Sequence, residues 1–180
     1  MFYMKELPNE EDFRPLVPEY SSLDTSSVML FYLFLQVGSD MLTAFETYLA
    51  NHGVSQGRFI VLLLLLRSQV RNNGSGLSPS ELAGQAGVTR ATMTGLMKGL
   101  QRDGLIERFS HEGDRRKVIV RLTPKGKESL HAIFPDYYSR IADLMNDLED
   151  DERERLSRLL HKVKNKMNLS KHAPASGARG

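Results

Sequence analysis

The chain has 180 residues, of which 41% are hydrophobic and 26% charged, as expected of one compact soluble domain with helical additions and not of a disordered or fibrous chain. Cysteine is absent, which excludes a disulfide framework, a thiolate zinc site, an iron–sulfur cluster and a thiol redox switch. The net charge is only +2, but residues 88–127 carry ten Lys/Arg against four Asp/Glu, and a basic block inside a folded region points to a polyanion partner.

The longest unbroken apolar runs, residues 28–35 and 59–66, are eight residues each, below the roughly 18 of a membrane span. The N-terminal MFYMKELPNEED turns acidic before any apolar stretch able to act as a signal sequence. A cytoplasmic protein without a membrane partner is expected.

Residues 1–24, with Pro8, Pro15 and Pro18 among scattered charges, read as an N-terminal arm with at most a short helix. The three-, four- and seven-residue spacings of Val28, Phe31, Leu35, Leu42, Phe45 and Leu49 predict a helix from about Thr25 to Ala50. Its first half, VMLFYLFL, is apolar on every side, more than one small core covers, so segment 25–54 is expected to meet a second chain as a dimerisation helix. Ser55 is the predicted N-cap of a second helix reaching about Arg71 through FIVLLLLL, expected to be central and fully buried.

NNGSG at 72–76 is a loop by composition, and Ser78-Pro79 is a cap followed by proline at the first helical position. A short helix follows, Gly87 breaks it, and Thr89 caps a fourth helix that carries Met93, Leu96, Met97 and Leu100 on one face until Gly104 stops it. Two short helices about a glycine turn are a helix-turn-helix. LIERF then predicts a strand, HEGDRR a polar turn and KVIVRL a second strand. Thr123-Pro124 opens a helix with Leu130, Ile133, Phe134, Tyr137, Ile141, Leu144 and Leu148 on one stripe, with a kink expected at Pro135. A last helix from about Asp150 to Asn168 stacks Leu156, Leu159, Leu160, Val163 and Met167.

The predicted fold is therefore mainly α with a small β-hairpin wing: a winged helix-turn-helix over 55–128, flanked by dimerisation helices at 25–54 and 129–169, with a disordered tail at 170–180. On the fourth helix, 100° per residue puts Ala91, Gly95, Lys98 and Arg102 opposite the apolar stripe, with Arg90 and Thr94 beside them. Such a basic, small-sided face suits the major groove of double-stranded DNA, where residues near the helix N-terminus reach bases and cations behind them meet phosphates.

At LSPSELAGQAGVTRATMTGLMKGLQRDGLIERFSHEGDRRKVIVRLTPKGKESL, residues 77–130, the sequence resembles the multiple-antibiotic-resistance regulator (MarR) family of winged-helix transcription factors. The resemblance rests on Leu82 to Thr89, Gly104-Leu105-Ile106-Glu107-Arg108, Asp114-Arg115-Arg116 and Leu122-Thr123-Pro124-Lys125-Gly126, in that order. It implies a homodimer on a pseudo-palindromic operator, usually a repressor, commonly released by a small aromatic or anionic molecule. It further implies DNA contacts from Ser78, Thr89, Arg90, Ala91, Thr92, Thr94, Lys98 and Arg102. Arg116 falls where the family has a minor-groove arginine, flanked by Arg115 and Lys117 on phosphates. Gly95 departs from the family pattern, where a larger, often basic residue is common.

Phe31, Tyr32, Phe45, Tyr48, Arg58 and Phe59 are candidates to line an effector pocket, or else belong to core and interface packing. The five histidines lack the spacing of a zinc site, and Glu149-Asp150-Asp151-Glu152 suits the positive end of a helix. No nucleophile-elbow, P-loop, dinucleotide or zincin motif is present, so neither an enzyme nor a cofactor or metal is expected. The competing expectation is a dimeric winged-helix module that binds protein and does not read DNA.

Overall fold

A computed structural model of the chain describes residues 7–16, 18–20, 24–71, 74–111 and 114–172, with the backbone alone at 10, 110–111, 114–117 and 168–172. The chain divides into two compact units, 1–130 and 131–180, with the boundary inside one helix.

In the first unit, the short helix α1 (Glu10–Phe13) is opened by a capping box in which Asn9 Oδ1 accepts from Asp12 N at 3.2 Å and Asp12 Oδ2 accepts from Asn9 N at 2.7 Å. The Asp24 carboxylate caps α2 (Thr25–Asn51), accepting from the backbone N–H of Ser26 and Ser27, and the hydroxyls of Ser27 and Ser26 hold its carboxyl below the usual range. Then follow α3 (Gln56–Arg71), α4 (Pro79–Ala86), α5 (Arg90–Arg102), and the antiparallel strands β1 (Ile106–His111) and β2 (Asp114–Leu122). Ile106 lies opposite Leu122 and Phe109 opposite Ile119, with a bulge between Ser110 and His111. The free edge of β2 gains a one-residue bridge: Leu77 N donates to Val120 O at 3.0 Å and Val120 N to Leu77 O at 2.8 Å. The helix α6 (Pro124–Met145) crosses the unit boundary, and α7 (Asp150–His172) completes the second unit.

One core holds the winged helix. Leu62 and Leu65 of α3, Leu82 of α4, Met93, Met97 and Leu100 of α5, Val120 of β2 and Leu130 of α6 are all fully buried. Each such side chain stabilises by roughly 1.5–3 kcal/mol.

Four sequence expectations need correction. The helix α3 is not buried all round: Val70 is 75% exposed and Arg67 and Arg71 face solvent, because the core covers only one side of it. The wing strands are longer than their apolar residues suggested, so Asp114, Arg115 and Arg116 lie in β2 and not in a turn. The last helix runs on to His172, inside the segment expected to be a tail, since no glycine or proline stops it at Asn168; residues 173–180 lie outside the described residues. Finally, α2 is long and apolar enough to cross a membrane by length and composition, which counting unbroken apolar runs had missed.

Only 6% of that apolar window in α2 is buried, and Leu30, Phe31, Leu33, Val37 and Leu42 are all exposed. In the second unit, Leu156, Leu159, Leu160, Val163 and Met167 form an exposed stripe on α7. Among its described residues only Ile133 is buried.

Candidate nucleic-acid interface

The helix-turn-helix is built by local chemistry at each end of its helices. Ser78 caps α4 in a full capping box: its Oγ accepts from Glu81 N at 3.3 Å, and Glu81 Oε2 accepts from Ser78 N at 2.7 Å. The Ser78 hydroxyl and then its N–H hold the Glu81 carboxyl below the usual range. Gly87 ends α4 at φ +66°, a left-handed conformation that suits glycine alone at little cost, and Val88 N closes the turn on Ala83 O at 3.1 Å. Thr89 then caps α5, its Oγ1 accepting from Thr92 N at 3.1 Å.

These caps fix which way α5 faces. Met93, Met97 and Leu100 point into the core, while Arg90, Ala91, Thr92, Thr94, Gly95, Lys98 and Arg102 are all exposed on the rest of the helix. Arg90 and Lys98 have no acidic partner among the described residues. Arg102 is partly engaged, its Nε donating to Asp103 Oδ1 at 3.2 Å. The threonine hydroxyls are also engaged locally, Thr94 Oγ1 donating to Arg90 O at 2.8 Å and Thr89 Oγ1 lying 2.9 Å from Thr92 Oγ1. The N-terminus of α5 and two uncommitted cations thus share one solvent-facing surface, an arrangement suited to phosphate.

The far end of α5 is clamped from two sides, which the sequence reading missed. The Arg58 guanidinium of α3 pairs with the Asp103 carboxylate, and Lys125 Nζ of α6 donates to Asp103 O at 2.9 Å. Arg58, followed by Arg102, holds the Asp103 carboxyl below the usual range. Thr123 ties the same corner, its Oγ1 donating to Gly104 O at 2.7 Å and accepting from Gly126 N at 3.0 Å. A Cβ on Gly126 would overlap the Leu105 carbonyl oxygen, so only glycine allows this approach of α6 to the wing. The only forward signal was the Leu122-Thr123-Pro124-Lys125-Gly126 string itself.

On the wing, Arg121 lies over the Phe109 ring at 5.2 Å, a cation–π contact that orders the hairpin face. Arg115, Arg116 and Lys117 lie on β2 near its start, and their side chains lie outside the described residues.

The effector-pocket set is not gathered within one chain. Phe31 and Tyr48 stand seventeen residues apart in the one helix α2, a rise of about 25 Å at 1.5 Å per residue. Phe31 is 58% exposed, Tyr48 and Phe59 are core residues, and Arg58 is committed to Asp103. Phe31 and Tyr32 meet edge to face with ring centroids 5.8 Å apart. No cluster of three or more His, Asp or Glu suited to a metal occurs among the described residues.

Comparison with known proteins agrees with this architecture. The MarR family model matches residues 61–118, from α3 to the middle of β2. The HTH-type transcriptional repressor YetL of Bacillus subtilis (strain 168) is 33% identical over 168 residues, spanning 93% of this chain and 98% of the relative. A crystal structure of a MarR family transcription regulator superposes with a TM-score of 0.68 over 83% of this chain and 98% of the other, at 21% identity. The Staphylococcus aureus MepR–DNA complex superposes at 0.65 over 76% of this chain and 94% of the other, at 22% identity, and likewise shows a common fold. With a repressor one-third identical over nearly the whole of both chains, and with the same winged helix in the matched structures, the chain belongs to the MarR family, whose members regulate transcription and are not enzymes.

Proposed function

We propose that the chain is a cytoplasmic, dimeric, sequence-specific DNA-binding regulator of transcription, acting as a repressor that a small aromatic or anionic effector releases from a pseudo-palindromic operator. The observation that carries this reading is the exposed face of α5, where Arg90, Ala91, Thr94, Gly95 and Lys98 stand together opposite a fully buried methionine and leucine stripe. Side chains of this size leave room for the helix to enter a major groove, and Arg90 and Lys98 are placed for base edges and phosphates. Ser78, Thr89 and Thr92 sit at the N-termini of α4 and α5, where backbone N–H groups favour a phosphate. Arg115, Arg116 and Lys117 carry the wing contacts in this reading.

The names of the relatives support the regulatory half: YetL is a transcriptional repressor, and MepR has been crystallised with DNA. The exposed apolar faces of α2 and α7 support the dimer, since a second copy would cover both with like surface. That cover also accounts for an apolar α2 without a membrane. The test is a mobility shift of the purified protein on the DNA upstream of its own coding region, at two salt concentrations. Sequence-selective retardation that weakens with salt is expected. Absence of retardation at low salt would overturn the reading in favour of a protein-interaction module.

A further inference from the structure

A cavity of about 370 Å³ opens between α3 and α4, and none of the aromatic set discussed above lines it. Leu64, Arg67, Ser68 and Arg71 line it from one face of α3, Leu77 from the bridge to the wing and Gln85 from α4. Its volume falls in the range of small-ligand sites. The chemistry of its wall is uneven. Leu77 is buried and Leu64 half-buried, giving an apolar side, and the buried Ser68 hydroxyl is spent on the adjoining loop, lying 3.2 Å from the Ser75 carbonyl oxygen. The rim carries the exposed side chains of Arg67, Arg71 and Gln85, and neither arginine is paired with an acid among the described residues.

Arg67 and Arg71 stand at i and i+4, where two like charges are neighbours and repel each other. No packing need explains both. Arg71 suits the negative end of α3, but Arg67 lies a full turn from it. The rim therefore offers two guanidinium forks and one amide, and no acid from the cavity lining opposes them. Three donor groups match the three terminal oxygens of a phosphate monoester, which carries about −1.5 to −2 charges near pH 7. A carboxylate has two oxygens and one charge, and would leave one of the arginines unmatched.

We propose that this cavity binds a small organic phosphate monoester, with its head group between Arg67, Arg71 and Gln85 and a short apolar body against Leu64 and Leu77. The site shares no residue with the exposed face of α5 or with the candidate effector-pocket set. It is tested without DNA, so its failure and that of the DNA reading are distinct.

The experiment is isothermal titration of the full chain with phenyl phosphate, benzoate and inorganic phosphate. Phenyl phosphate is expected to bind saturably, one per chain, and more tightly than either of the others. Arg67→Ala and Arg71→Ala should each weaken it roughly tenfold or more, the size of a lost charge-assisted hydrogen bond. Arg14→Ala, an exposed arginine at the end of α1, should leave it unchanged, and unaltered circular dichroism of all three variants would show that the fold persists. Equal binding of inorganic phosphate would overturn the apolar half of the site, and equal binding of benzoate the choice of head group. Absence of saturable binding, or binding indifferent to both arginine variants, would overturn the site itself. If in that case Arg67→Ala and Arg71→Ala lower the salt slope of DNA binding, the two arginines are phosphate contacts to DNA.

Discussion

Gly95 and Gly126 show how differently one residue type is spent in this chain. Nothing lies within 4 Å of a Cβ built on Gly95 or Gly99, so within the chain both are only a cost to α5, whereas Gly126 is required by the Leu105 carbonyl. Gly95→Ala and Gly99→Ala should each stabilise the protein by about 1 kcal/mol, and Gly126→Ala should destabilise it by about 1–3 kcal/mol, measured by denaturant unfolding. A Gly126→Ala variant as stable as the parent would contradict the packing of this corner. The need for a glycine at 126 was not legible, because the colliding carbonyl belongs to Leu105, across the wing. The pairing of Arg58 with Asp103 was not legible for a similar reason: the two residues lie 45 positions apart. Contacts at that separation leave no local pattern in one sequence.

At the scale of elements, the parts with strong end chemistry were legible. Ser78-Pro79, Gly87, Thr89 and Thr123-Pro124 mark their helix ends close to where the structure has them, because a cap satisfies backbone groups that nothing else nearby can. Elements without such marks were misjudged. The wing strands extend through His111 and from Asp114 because backbone pairing does not itself require apolar alternation, and α7 continues to His172 because nothing in SKH opposes a helix. The wing and α5 are proposed to touch DNA in different ways, and the difference is measurable. Lys98→Ala should weaken binding evenly on all sites and lower the salt slope by about 0.9. Arg116→Ala should lose more affinity on an A·T-flanked operator than on a G·C-flanked one, since narrow A·T minor grooves concentrate negative potential. Titration of both variants on both sites at matched salt checks this. Equal losses for Arg116→Ala would reduce that arginine to a phosphate anchor.

At the scale of the whole molecule, the exposed apolar faces are the strongest argument for a second copy. Leu30, Phe31, Leu33, Val37 and Leu42 on α2, and Leu159, Leu160, Val163 and Met167 on α7, are too many to leave in water on a lone chain. The sequence pattern showed this excess directly in VMLFYLFL, and counting apolar faces against one small core was enough to expect it. Phe31→Asp or Leu159→Asp should give monomers or insoluble protein by light scattering at micromolar concentration, because each places a charge in an apolar seam. Soluble dimers from both variants would place the interface elsewhere.

Whether two copies of α5 read one operator together is decided by a hydroxyl-radical footprint on a site selected by the protein. Protection of an inverted repeat is expected, with half-sites about 34 Å, one helical turn, apart and both halves filled together. Protection of a single unsymmetrical half-site by one subunit would contradict it.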